Sequence, residues 1–209
     1  MDENRWSRGH FIHRRVGCEG LVTVQPTEVV IENRRMRFTP GEKHEENLLR
    51  KLYVDELKDL YSAEHQLIKA LPAMAKAATS RKLKAGFHSH LKQTRQDAAR
   101  LQKIFKGMKE GPNGKHCSGM EGLIEEGSEL IAERPDPEEL DAGLIAAAQH
   151  IEHCEMAGYG CARAYARLLK ESQAVALLTR TYNEEKETDK KLTTLSKEIN
   201  VEAADAERE

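Results

Sequence analysis

Residues 146–159, AAAQHIEHCEMAGY, set Glu152 and Glu155 three positions apart in a stretch dominated by alanine, isoleucine, methionine and tyrosine. Ile145, Ala148, Tyr159, Ala162 and Leu169 form a heptad-like stripe around it, and both glutamates fall on that stripe. The spacing predicts a helix whose buried face carries two carboxylates. That helix should begin near Pro137, with Asp136 as N-cap and acidic residues in its first turn, and run to about Leu169. The next helix, over about 172–199, repeats the pattern: Leu178, Leu192, Leu195 and Ile199 share a face with Glu185, and Asp189 lies one turn beyond it.

Upstream, a helix from about residue 44 carries Leu57, Leu60, Leu67 and Leu71, with Glu64 on the same stripe and Pro72 expected to bend or perturb it. A further helix over about 80–109 buries Leu83, Phe87, Leu91, Leu101, Ile104 and Met108, interrupted by His90, Thr94 and Asp97. Between the two helical pairs, glycine and proline clusters flank a short helical piece over about 120–132. Two hairpins joined by one long crossover carrying a short helix specify an all-α, ferritin-like four-helix bundle. The hairpins also repeat each other weakly: Asp97 follows Glu64 at a spacing close to that at which Asp189 follows Glu155.

Composition agrees with helices, since only 5% of the 209 residues are aromatic and Pro is scarce at 6. The net charge of −2 recruits neither nucleic acid nor an anionic membrane. No run approaches the roughly 20 apolar residues of a membrane span, and the N-terminus lacks a signal-peptide core, so a cytoplasmic location is expected. Cys18, Cys117, Cys154 and Cys161 form no CxxC pair. Cys154 and Cys161, roughly 10 Å apart along one helix, are too distant for a disulfide. No phosphate loop or nucleophile motif is present.

Residues 1–43 read as an appendage, either a flexible tail or an over-extended start with Met36 as the true first residue; 44–200 form the bundle and 201–209 a disordered tail. DNA protection by the basic first segment is a weaker alternative.

Inward carboxylates from several helices are costly, at several kcal/mol per unpaired ion. Two readings are open. A divalent metal pair, iron or manganese, would neutralise them, and facing helices of a bundle are where such carboxylate sites are built. Alternatively, they pair internally with Arg180, Lys186, Arg95, Tyr53, Tyr61 or Tyr182. His150 and His153 read as surface or core-edge histidines; His90 shares the polar interruption with Asp97 and is more often hydrogen-bonded than ligating.

Five ordered blocks, DLYSAEHQLIKALPAM, FHSHLKQT, MEGLIEEG, LIAAAQHIEHCEMAGYG and EEKETDKKLTTL, resemble the bacterial ferritin-like YciE/YciF family over about residues 44–197. The resemblance implies a stress-related, homodimeric bundle with a di-metal centre, and carries Glu64, Glu152, Glu155, Glu185 and Asp189 onto the family's acidic positions. Members usually carry an acidic HLEET block in the second helix, where this chain has HLKQTRQD. That helix is therefore expected to supply only Asp97, with or without Gln93 or His90, which leaves a one-metal site or none open as an alternative, with Lys92 or Arg95 replacing metal charge. The expected ligand set is Glu64, Asp97, Glu152, Glu155, Glu185 and Asp189, holding two iron or manganese ions for ferroxidase or peroxide chemistry. The alternative is a non-enzymatic dimeric bundle acting by protein interaction.

Overall fold

The computed structural model describes residues 48–206; the expected appendage over 1–43 lies outside them. The described chain forms five helices: α1 Leu48–Ala77, α2 Arg81–Met108, α3 Ser118–Glu133, α4 Pro137–Leu168 and α5 Ser172–Ala206. There is no strand among the described residues.

The helix ends follow from local chemistry. Ser80 has extended backbone and its hydroxyl accepts from Leu83 N at 3.5 Å, starting α2 as an N-cap does. Lys109, Arg134 and Lys170 adopt left-handed conformations just after α2, α3 and α4, a common way for a helix to stop. Pro137 opens α4 where a missing N–H costs nothing, and Asp136 holds the N-cap position without a side-chain cap bond. Pro72 sits inside α1 without ending it. One correction concerns the C-terminus: α5 continues to Ala206, through part of the segment expected to be disordered. Residues 201–206, VEAADA, are half alanine, the best helix former, and supply no stop signal.

α1 and α2 form one antiparallel hairpin and α4 and α5 the other; α1 packs on α4, and α2 on α5. The crossover helix α3 lies on the outside against α1 and α4. Its entry is fastened to α1, where the Ser62 hydroxyl accepts from Cys117 N at 3.0 Å and Gln66 Nε2 donates to Cys117 O at 3.1 Å. At one end of the bundle, the Asp141 carboxylate near the start of α4 grips the α1–α2 turn. It accepts from Thr79 N at 2.7 Å, the Thr79 hydroxyl at 2.7 Å and Ser80 N at 2.6 Å. This is the ferritin-like arrangement that the sequence predicts.

The apolar core is divided. One cluster holds Leu67, Leu71, Leu83, Phe87, Leu144 and Ile145; the other holds Tyr53, Leu57, Leu101, Phe105, Tyr159 and Leu178. Each such side chain stabilises by about 1.5–3 kcal/mol on burial. Between the clusters, every helix of the bundle turns a polar residue inward, and that layer is the candidate site.

A buried carboxylate and histidine layer

Four side chains from three helices converge: His90 from α2, Glu152 and Glu155 from α4, and Glu185 from α5. Each offers a ligand atom, and these atoms all lie within 4.8 Å of one another. All four are buried, His90 being 6% exposed and the three glutamates 2% or less. Heptad spacing explains the convergence. Glu152 and Glu155 share the inward face of α4, and Glu185 lies seven residues before Leu192 on α5.

Glu64 and Asp97 border this cluster without completing it. Tyr159 donates its phenolic hydrogen to Glu64 Oε1. Asp97 Oδ1 is held by the Arg100 guanidinium and by the Thr181 hydroxyl at 2.7 Å. Arg100 reaches onward to α5, donating to Thr181 Oγ1 at 3.0 Å and to both Glu184 oxygens at 2.6 and 3.1 Å. Asp189 stays at the rim, 20% exposed, accepting from Gln149 Nε2 at 3.1 Å and facing His153 Nε2 at 3.3 Å.

The electrostatics are those of crowded acids removed from water. Burial is the largest cause in each case. It pushes Glu64, Glu152 and Glu155 well above the usual carboxylate range, and neighbouring acids push them further. Burial and the Asp97 charge raise Glu185 to about 8. Burial also raises Asp97, to about 6, against the opposing effects of Thr181 and Arg100. His90 moves the other way, lowered to about 4 by burial and then by Lys191, so its ring is neutral near pH 7.

Several polar atoms here have no hydrogen-bond partner: both ring nitrogens of His90 and one oxygen each of Glu64, Asp97, Glu152 and Glu155. His90 Nε2 does approach Glu152 Oε1 at 3.2 Å, but without hydrogen-bond geometry. Unpaired polar atoms are rare in a folded interior, and these concentrate in one layer. Three carboxylates and a neutral imidazole are also a donor set suited to iron, manganese or zinc. The residues present therefore fit a metal ion.

The sequence-based ligand set is thus sorted by the fold. Glu152, Glu155 and Glu185 come together; Glu64 and Asp97 lie beside them with partners of their own; Asp189 stands outside. His90, expected to be hydrogen-bonded instead, belongs to the cluster. Lys92 and Arg95 are exposed, so the cation that enters the layer is Arg100. The signal for it was present, because Arg100 follows Asp97 by three positions and so shares its face. Of the internal partners considered for the acids, Arg180 binds Glu184 at 2.9 Å while itself exposed, and Tyr182 packs under Arg163.

Comparison with known proteins places this chain in a family. Residues 48–205 match a family model described as a domain of unknown function, DUF892. The chain belongs to the DUF892 family. Protein YciF of Escherichia coli strain K12 is 41% identical over 153 residues, covering 69% of this chain and 88% of the relative. The crystal structure of the Escherichia coli stress protein YciF superposes with a TM-score of 0.70 at 39% identity, covering 72% of this chain and 96% of that one. YcfI from Rhodopseudomonas palustris gives 0.68 at 41% identity, covering 70% and 93%. A protein from Xanthomonas campestris shares the fold alone, with a TM-score of 0.62 at 19% identity over 77% and 99%. The DUF892 match begins where the described residues begin, and the family resemblance read from the five sequence blocks is borne out. No helix among the described residues is long and apolar enough to cross a membrane.

Proposed function

We propose that this DUF892 bundle is a metal-binding protein of bacterial stress defence, whose buried layer holds iron or manganese for reaction with oxygen or peroxide. The observation that carries the reading is the concentration of unpartnered acid and imidazole atoms within 4.8 Å of one another. His90, Glu152, Glu155 and Glu185 would hold the first ion. A second position would lie beside it, using Glu64 and Asp97 with Glu155 or Glu185 shared. Bound iron or manganese supplies Lewis acidity and a change of redox state.

The protein's own groups set the conditions. Carboxyls raised by burial hold protons, and ligation requires those protons to leave. Gln93 Nε2 donates to Glu185 Oε2 at 3.2 Å, and Tyr159 to Glu64, fixing which oxygens face inward. Apolar clusters flank the layer on both sides, and His90 and Glu152 also face a cavity between α2 and α5.

A second reading, a single ion, is favoured by Arg100, whose guanidinium already neutralises Asp97. Metal content per chain, measured by mass spectrometry after anaerobic Fe(II) or Mn(II) loading and desalting, separates the two. Near two ions, falling on Glu155→Ala substitution, supports the paired site. Near one supports the Arg100 reading. None would leave a purely structural or interaction bundle.

A further inference from the structure

Next to the metal layer, a cavity of about 600 Å³ opens between the first half of α2 and the second half of α5. Its floor is apolar, formed by Leu71 and Met74 of α1 and Ala148 and Ile151 of α4, and its walls include Phe87 and Leu192. Two features point to a ligand rather than a packing defect. The volume falls in the range of small-molecule sites, which are mostly apolar with a few placed polar groups. His90 and Glu152, whose open atoms the metal layer accounts for, also line the cavity. The rim also carries an uneven charge. Lys82 pairs with Glu198 at 2.6 Å and Lys190 with Glu187 at 2.6 Å, but Lys191 makes no ion pair among the described residues.

We infer that this cavity is a binding chamber for an unbranched monocarboxylate with an apolar chain. The chain lies along Phe87, Leu192 and the floor of Leu71 and Met74, where burial of methylenes is favourable at about 0.8 kcal/mol each. The carboxylate meets the exposed Lys191 ammonium, whose positive charge favours an anionic over a neutral head. From Lys82 to Gln93 the α2 wall spans roughly 16 Å at the helical rise, so a chain of medium length fits. The inference needs no metal: the cavity, its lining and its charge belong to the protein alone.

Gly86 provides the test. It lines the chamber, and a Cβ placed on it meets nothing within 4 Å, so Gly86→Leu should fill the space while improving helix propensity. Decanoate and decanol are titrated by calorimetry into the full-length protein, metal-stripped and metal-loaded, with metal content measured on the same samples. Circular dichroism and melting temperature check the fold of each variant. The expected result is one decanoate per chain in both forms, bound at least tenfold more weakly by Gly86→Leu and by Ser89→Leu, Ser89 being a second lining position on α2. Lys191→Ala should weaken decanoate by a similar factor while leaving decanol unchanged. Absence of saturable binding, binding indifferent to both filling substitutions, or wild-type protein preferring decanol would each overturn the inference. Because metal content is read separately, a failed metal site and a failed chamber give different results.

Discussion

Arg100 occupies an unusual position for a cation, buried between two helices with Asp97 on its own helix and Glu184 on the facing one. Removing one partner of a buried pair leaves the other charge without compensation, so Arg100→Ala should cost roughly 3 kcal/mol, read as a shift in the denaturation midpoint. If a surface-like effect below about 0.5 kcal/mol were found instead, Arg100 would be a rim contact. The crowded acids beside it give the metal-free layer a direction with pH. Glu152, Glu155 and Glu185 have folded-state pKa values above their unfolded ones, so the native state retains protons that the unfolded chain releases. Their stabilising effect is complete below the ordinary carboxylate range and is lost as pH rises toward about 8, where Glu185 titrates. His90, lowered to about 4, acts oppositely between there and its ordinary value of 6.5, so the decline is cleanest above that point. Chelator-treated protein should melt at progressively lower temperature from about pH 6.5 to pH 8, and metal loading should flatten the slope. A metal-free melting temperature that rises over this window would contradict the protonated layer.

Among the elements, α4 was the most legible and α2 the least. The stripe on α4 is regular enough that Glu152 and Glu155 were placed inward from spacing alone, and α5 placed Glu185 the same way. On α2 the buried face runs through His90, Thr94, Asp97 and Arg100 in succession. Polar residues interrupt the apolar stripe there, so the sequence pointed to Lys92 and Arg95 and passed over Arg100. Asp189 shows a different limit. One turn from Glu185 on the same helix, it has rotated far enough to meet Gln149 and His153 at the edge. Outside the bundle, α3 depends on a close approach that pattern cannot reveal. A Cβ on Gly143 would lie 2.5 Å from Leu130 Cδ2, so the glycine lets the crossover helix seat on α4. Gly143→Val should destabilise by about 1–3 kcal/mol through overpacking. The loss should appear first as faster amide hydrogen exchange across α3; uniform exchange throughout would show that α3 is not separately held.

At the scale of the whole molecule, topology was legible because the two helix pairs have short turns and the connection between them is long and broken by glycine and proline. The end of α5 was not, since a polar, alanine-rich segment reads equally as tail or as solvent-exposed helix. The connection is also the weakest covalent necessity in the bundle: α1–α2 and α4–α5 are held by interdigitated side chains, by Arg100 to Glu184, and by Lys82 to Glu198. Chains divided in the loop at residues 112 and 113 should therefore reassemble when mixed, recovering native circular dichroism and co-migrating on size exclusion. Independent migration would mean that the crossover is needed to hold the halves together.

Asp141 gives this assembly an order in time. Its carboxylate grips Thr79 and Ser80 across 62 and 61 residues of sequence. During synthesis, the turn between the first two helices leaves the ribosome with those amides bound only to water, and they stay so until the start of α4 has emerged. Until then the first hairpin lacks the carboxylate that ties its turn, and the faces it packs against α4 and α5 stay open to solvent.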